Sequence, residues 1–232
     1  MKLTTLFKDV VHLFYPHLCT GCASDLLDEN NLLCIKCINA LPHTNYAQHA
    51  NNQVEKIFWG RIPVAAAHSQ FYFAKSSMMQ ELMHQLKYKN NQDIGIFLGE
   101  LMGNSLLNSN RFGNIDGLVP LPMYPDKQHS RGYNQAAVIC KGMSLAMNVP
   151  VVHNNVSRQY ATATQTRKSR IERWENVAES FVIKDRTALA GKHLLLVDDV
   201  LTTGATLEAA GKTILQCDDV KLSIATIAFA AK

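Results

Sequence analysis

The sequence predicts an α/β protein with a mostly parallel sheet, helices on both faces of that sheet, and a small cysteine-rich module in front of it. From about residue 61 onward, apolar segments of strand length alternate with amphipathic segments of helix length. The segment LLLV (194 to 197) is a continuous apolar run, which is typical of a parallel strand buried on both faces. Two closely spaced cysteine pairs precede this alternation.

Length and charge set the limits of the prediction. The chain has 232 residues and a formal net charge of +4, enough for one sizeable domain plus a small module. Mild basicity is compatible with a polyanionic partner but does not require one. No apolar run reaches the length of a membrane-spanning helix, so no membrane insertion is expected. Apolar residues at helical spacing in residues 1 to 16 are interrupted by charges, which predicts a packing helix rather than a signal peptide, and a cytoplasmic protein.

The predicted elements follow in a regular order. Residues 1 to 45 form an N-terminal helix and the cysteine module, 46 to 60 a polar linker, and 61 to 232 the α/β domain. Short strands or a hairpin are expected over 62 to 73, and strands over 117 to 122, 149 to 152, 180 to 185, 193 to 199 and 220 to 230. Helices are expected over 77 to 89, 94 to 107, 134 to 147 (with Asn134 near its cap) and 203 to 215. The cationic segment 157 to 176 is predicted as loop or marginal helix.

The two cysteine pairs predict a metal site. Cys19 and Cys22 form one Cys-x-x-Cys pair, and Cys34 and Cys37 form the other, with eleven residues between the pairs. Two such turns bring four thiolates around one point, an arrangement suited to tetrahedral zinc. Because all four ligands come from the protein, the zinc would be structural rather than catalytic. A redox dithiol, or a site that has lost its metal, remains the alternative.

The stretch LLLVDDVLTTGAT (194 to 206) carries the strongest functional signal. Asp198 and Asp199 follow an apolar strand and therefore fall at its carboxyl end, where open α/β sheets bind ligands. The following threonine–glycine turn leads into a helix, whose N-terminus favours a phosphate. Two carboxylates beside a phosphate cradle suit a ribose that carries vicinal hydroxyls and a 5-phosphate.

Two other interpretations of this stretch are open. A Walker B strand also ends in acids, but it needs a P-loop, and GATLEAAGKT (204 to 213) has six residues between its glycines instead of four. The second alternative is a capped helix after a strand, with no ligand. Two adjacent aspartates at a buried strand end repel each other and lose hydration, which disfavours a purely structural role.

The same stretch resembles the thirteen-residue phosphoribosyl pyrophosphate (PRPP) motif of type I phosphoribosyltransferases. The resemblance implies the type I phosphoribosyltransferase fold for the domain. It implies that Asp198 and Asp199 hold the ribose hydroxyls, that the loop after them wraps the 5-phosphate, and that Mg²⁺ bridges pyrophosphate and ribose. The implied PRPP-binding residues are Asp198, Asp199, Val200, Leu201, Thr202, Thr203, Gly204, Ala205 and Thr206, with Pro120 and Leu121 on the pyrophosphate side.

A second resemblance rests on the four-cysteine zinc-finger module, QLKYK (85 to 89), VPLP (119 to 122), HSRGYNQA (129 to 136) and QTRKSRIERWENVAESF (165 to 181). Through these segments nearly the whole chain resembles the ComF family. It implies Lys87 and Arg131 as further catalytic candidates beside the two acids. It also implies a flexible loop over PRPP that includes Gln165, Arg167, Lys168, Arg170, Arg173 and Asn176. Many type I relatives dimerise, so a homodimer is compatible with the resemblance.

The resemblance leaves two functional hypotheses. The first is a Mg²⁺-dependent phosphoribosyltransferase, in which positioned cations stabilise the leaving pyrophosphate; the acceptor, and whether transfer occurs at all, stay open. The second is a competence factor for DNA uptake that binds single-stranded DNA, alongside other DNA-uptake proteins, without catalysis. Five cations between Arg158 and Arg173, with Tyr160 and Trp174 at the ends of that run, fit nucleic-acid binding or a charged PRPP lid equally well.

Overall fold

A four-stranded parallel sheet forms the centre of the computed structural model, which describes residues 16 to 25, 31 to 159 and 181 to 230. In the spatial order β1-β6-β5-β2, the strands are β1 (Ala67–Tyr72), β6 (Lys221–Phe229), β5 (His193–Leu201) and β2 (Gly117–Pro120). Every pairing in this sheet is parallel. A separate antiparallel ribbon pairs β3 (Val156–Arg158) with β4 (Phe181–Ile183). The predicted parallel sheet is therefore confirmed.

Helices in the described residues surround this sheet. They are α1 (Ile35–Asn39), α2 (Gln53–Phe58), α3 (Met78–Tyr88), α4 (Gln92–Leu107), α5 (Pro125–Arg131), α6 (Gln135–Met147) and α7 (Ala205–Ile214). The predicted cap of α6 is confirmed, because the Asn134 side chain accepts a hydrogen bond from Ala136 N at 2.9 Å. Across the described ranges, no helix combines the length and the apolarity needed to cross a membrane. The predicted N-terminal helix lies outside the described residues.

Two apolar cores cover the two faces of the sheet, as the continuous apolar strands predict. Alternate residues of β5 point into different cores, with Leu195 in one and Leu194 in the other. The first core contains α3, α4, α6 and the cysteine module, and the second contains α2 and α7. Helices α4 and α6 approach each other at Gly99 and Gly142, where an added Cβ would meet the backbone of the opposite helix. The glycines of α4 therefore permit close packing.

The segment 46 to 60, expected to be a polar linker, is packed onto the domain. Its 3-10 turn (Tyr46–Gln48) and α2 lie against β1, and Phe58 is fully buried. The Asn52 side chain caps α2 and also donates to the carbonyl of Ala67 at 2.9 Å. Polar composition suggested a linker, whereas these polar groups are used inside the fold. The domain boundaries stay a prediction.

Three strand assignments differ from the sequence-based expectation. The segment 62 to 73 forms the single parallel strand β1 rather than a hairpin, because it pairs with β6. Around 149 to 152 the structure shows one isolated bridge, between Val151 and Leu118. Strand β5 continues to Leu201 because β6 pairs with it that far. Asp198 and Asp199 therefore lie shortly before the end of the strand, which continues beyond its predicted end at residue 199.

Candidate functional site

The two aspartates at the end of β5 lie beside a lysine from α3. The Lys87 Nζ atom is 2.9 Å from the Asp199 Oδ2 atom, and both side chains are largely withdrawn from water. Asp198 accepts a hydrogen bond from the Asp199 backbone N–H at 2.8 Å. The sheet supplies the acids and the helix supplies the cation, so the cluster exists only when both elements are packed together.

The electrostatics of the pair are unequal. Loss of hydration, followed by the negative charge of Asp199, raises the pKa of Asp198 to about 8. The charges of Lys87 and Arg158 act in the opposite direction on that pKa. Asp198 therefore holds a proton near neutral pH unless a ligand provides donors or positive charge. A sugar with two neighbouring hydroxyls provides donors of this kind.

The loop after β5 leaves the N-terminus of α7 without a side-chain cap. Gly204, at the N-cap of α7, has a left-handed backbone with φ of +74° and no side chain to occupy the first N–H groups of the helix. Thr203 Oγ1 reaches Ala205 N only at a long 3.5 Å. A Cβ on Gly204 would also lie 2.9 Å from Ile57 Cγ2. Glycine is required here by both backbone conformation and space.

Arg61 hydrogen-bonds to the backbone of this loop. Its Nη1 atom donates to the Thr203 carbonyl at 2.9 Å and to the Ile57 carbonyl at 3.0 Å. Its Nε atom donates to Glu208 Oε2 at 2.8 Å, and Nη2 contacts the same oxygen. Lys212 also pairs with Glu208 at 2.8 Å. The two cations offset the one carboxylate in the first turns of α7, which would otherwise repel a phosphate there.

Further cations surround the acids in a cavity of about 170 Å³. Its charged lining consists of two acids and the four cations Lys87, Lys127, Arg131 and Arg158. A smaller cavity of about 40 Å³ adjoins it along the loop from Val200 to Leu207 and shares Asp198 and Thr206 with it. Excess positive charge beside a helix N-terminus suits an anion with more than one phosphate.

The side chains of the RGYNQ segment (131 to 135) make contacts that position the residues around this cavity. Arg131 lies over the ring of Tyr88, 5.6 Å from its centroid, and donates to Gln135 at 3.0 Å. The Tyr133 hydroxyl donates to the Leu86 carbonyl, next to Lys87. Asn134, besides capping α6, donates to the Leu121 carbonyl at 3.0 Å. The segment therefore ties α3 and the turn after β2 to one another.

The four predicted cysteines come together. The ligand atoms of Cys19, Cys22, Cys34 and Cys37 all lie within 4.8 Å of one another. The Sγ atoms of Cys22 and Cys34 are 3.8 Å apart, close to the edge of about 3.8 Å that a tetrahedron with metal–sulfur distances of about 2.3 Å requires. A hydrogen bond with Ser24 lowers the pKa of Cys22 to about 6, which favours the thiolate form. This donor set fits a metal ion such as zinc.

The structure brings together most of the predicted site residues. Lys87, Leu121, Arg131, the two acids and Thr206 line one cavity, whereas Pro120 lines a neighbouring groove. The predicted flexible loop, with Gln165, Arg167, Lys168, Arg170, Arg173 and Asn176, lies outside the described residues. Sequence reasoning missed Arg61, Lys127 and the aromatic partners Tyr88 and Tyr124. Tyr88, Tyr124 and Lys127 lie in or near segments that resemble the ComF family, which was a weak signal for a place in the site. The sequence around Arg61 gave no such signal.

Comparison with known proteins identifies related sequences. A family model described as phosphoribosyl transferase domain matches residues 134–232. The chain is 27% identical over 207 residues to competence protein F of Haemophilus influenzae, covering 87% of this chain and 86% of that protein. It is 30% identical over 131 residues to DNA utilization protein YhgH of Escherichia coli, covering 55% and 57%, so the match spans just over half the length of that relative. Competence protein ComFC of Bacillus subtilis is 24% identical, covering 60% and 55%.

A solved structure is also similar. Adenine phosphoribosyltransferase from Saccharomyces cerevisiae matches 62% of this chain and 72% of its own, with 19% identity and a TM-score of 0.37. The relatives and the matched domain together support a ComF-family protein with a phosphoribosyltransferase domain.

Proposed function

We propose that the protein binds PRPP, or a related ribose 5-phosphate, at the end of β5 and acts in DNA uptake during natural transformation. The observation that carries this proposal is the combination of Asp198 and Asp199 with the open N-terminus of α7 in adjoining cavities. Carboxylates accept hydrogen bonds from vicinal hydroxyls, and helix N–H groups donate to a phosphate. One ribose phosphate satisfies both.

The cations account for the rest of the ligand. Lys87, Lys127 and Arg131 line the cavity beside the acids and suit a pyrophosphate group. Carboxylate oxygens together with phosphate oxygens are suitable ligands for Mg²⁺, so Asp198 and Asp199 fit a magnesium ion held with PRPP, directly or through water. When bound, Mg²⁺ would neutralise charge on the pyrophosphate.

A transfer reaction would need little covalent chemistry from the chain. The acids would orient the ribose through its hydroxyls, the α7 loop would anchor the 5-phosphate, and the cations would stabilise charge as pyrophosphate leaves C1. Binding is the core of the proposal; turnover requires a nitrogen acceptor, which these residues do not specify.

The proposed cellular role rests on the relatives. Competence protein F and ComFC carry competence in their names, and YhgH is named a DNA utilization protein. A cytoplasmic location fits the proposal, because a reducing compartment keeps the four cysteines available for zinc. Zinc would be structural, holding the module against the core that contains α3.

A second candidate function is a single-stranded-DNA-binding competence factor that keeps the ribose phosphate site without catalysis. Exposed aromatic rings next to cations favour it: Tyr88 lies beside Arg131, and Trp59 lies beside Lys56. Such pairs stack bases and offset phosphate charge without sequence preference. A steep loss of DNA affinity with salt would support this function, and a flat salt dependence would count against it.

Calorimetric titration with PRPP and Mg²⁺ tests the primary proposal. The parent protein should bind, and the double variant Asp198→Asn/Asp199→Asn should lose at least ten-fold in affinity, because charged hydrogen bonds contribute about 1.5 to 3 kcal/mol each. The exposed pair Asp218 and Asp219 provides a matched control, since Asp218→Asn/Asp219→Asn makes the same change away from the site. The proposal would be wrong if the folded parent protein gave no heat of binding, or if both double variants lost PRPP affinity equally.

A further inference from the structure

One cavity lined by described residues lies beside the proposed ribose phosphate site and is not explained by it. This cavity, here called the proline groove, has a volume of about 660 Å³ and lies between α5, α6 and the start of β3. It shares four lining residues, among them Pro122, Met123 and Arg158, with the cavity of about 170 Å³ around the two aspartates. Its volume falls in the range of sites that hold small molecules of drug size or larger.

The lining of the proline groove combines apolar and polar groups. Pro122, Pro125 and Met123 contribute ring and thioether surfaces. Gln128 and Asn154 bring amide groups that make no hydrogen bond to another described side chain or backbone group. Amides both donate and accept, which is what the edge of a nucleobase requires, while proline rings and thioethers suit its faces.

The charge of the proline groove selects an anion. Within the part of the chain that the structure describes, its lining contains no aspartate or glutamate and includes Arg158 together with two histidines. The guanidinium of Arg158 lies 3.9 Å from the ring centroid of Tyr124 and 5.1 Å from that of Phe181, which fixes its plane. Its Nε atom is buried and has no hydrogen-bond partner among the described residues. A buried arginine N–H without an acceptor is costly, and a phosphate oxygen would satisfy it.

We infer that the proline groove binds a nucleotide unit, with its base against the proline and methionine walls and its phosphate on Arg158. The unit is either a free nucleoside monophosphate or one residue of a single strand, because both present the same base and phosphate. This inference rests on the groove and Arg158 and does not require PRPP binding. If a single strand is the source, Arg158 places one of its nucleotides directly beside the ribose phosphate site.

Binding of four probes tests the inference: dAMP, deoxyadenosine, inorganic phosphate and a short oligodeoxyadenosine strand. Affinity for dAMP or for the strand should exceed that for either fragment of the nucleotide. A strand that binds at least ten-fold more tightly than dAMP identifies the strand as the source, and comparable affinities identify the free nucleotide. Inorganic phosphate that binds as well as dAMP shows that the base is not recognised and overturns the inference, as does the absence of binding by both dAMP and the strand.

Two variants locate the binding in the proline groove. Arg158→Gln should weaken binding of the nucleotide probe about ten-fold or more, since it removes a charged donor. Ser157→Trp adds bulk on the exposed groove wall and should weaken binding while leaving PRPP affinity as in the parent, which separates this site from the proposed PRPP site. Lys141→Gln, an exposed cation on α6 outside both cavities, is the charge control. Melting temperatures confirm that each variant is folded, and parent-like nucleotide affinity in both groove variants would overturn the assignment.

Discussion

Replacing Gly204 with alanine tests the geometry of the phosphate loop most directly. Gly204 has φ of +74°, and a Cβ in a left-handed conformation costs about 1 to 2 kcal/mol. That Cβ would lie 2.9 Å from Ile57 Cγ2 and 3.1 Å from the Phe58 ring, and such overpacking costs about 1 to 3 kcal/mol more. The variant should therefore lose about 2 to 5 kcal/mol of unfolding free energy, and the displaced loop should bind PRPP more weakly.

Gly191 is a matched control for the backbone contribution. Its φ is +69°, and an added Cβ would meet nothing within 4 Å. Gly191→Ala should therefore lose only about 1 to 2 kcal/mol of unfolding free energy. Because Gly191 lies outside the cavities around the acids, PRPP affinity should be unchanged.

Urea denaturation and calorimetry of both variants measure these losses. A second change, Ile57→Ala, removes the contacting methyl group, so adding it to Gly204→Ala should recover stability relative to the sum of the single changes. The expected coupling is about 0.5 to 3 kcal/mol, the range seen for residues in contact. Equal losses for the two glycine variants, with no coupling to Ile57, would refute the close approach of α2 to the loop.

Three further predictions concern Arg61, Asp198 and the four-cysteine cluster. Arg61→Lys should keep the fold but weaken PRPP binding about ten-fold, because lysine cannot bridge the Thr203 carbonyl and Glu208 together; parent-like affinity by calorimetry would contradict this. Since the pKa of Asp198 is raised to about 8, a ligand that donates to its carboxylate displaces a proton below that pH, so affinity should rise with pH up to about 8. Calorimetry in buffers of different ionisation enthalpy measures that proton, and buffer-independent heats near neutral pH would exclude it. Chelating the metal, or the change Cys37→Ser, should lower the melting temperature, because Cys37 lies in the same apolar core as α3. As a control, zinc but not magnesium should restore the melting temperature of the chelated protein. An unchanged melting temperature would rule out a structural metal.

The local spacing of apolar residues was sufficient to predict the helices and strands whose buried residues recur at regular intervals. The apolar period of helix α3, with Leu82 and Leu86 on its buried face, and the unbroken run of β5 leave few alternatives, since burial dictates which residues must be apolar. The polar segment before β1 was predicted to be a linker, but its polar groups form hydrogen bonds inside the fold, as the Asn52 side chain does with the Ala67 carbonyl. Composition reports polarity, and it does not report where the hydrogen-bond partner lies.

The amino-acid sequence alone determined the acid pair, the threonine–glycine loop and the four-cysteine cluster, because these groups are close in the chain or repeat a short spacing. Only the tertiary structure decided that Lys87 reaches Asp199, that Arg61 holds the Thr203 carbonyl, and that Arg158 joins two cavities. Lys87 and Asp199 are more than a hundred residues apart along the chain, and so are Arg61 and Thr203. Contacts of this kind depend on strand order and helix packing, which local periodicity does not encode.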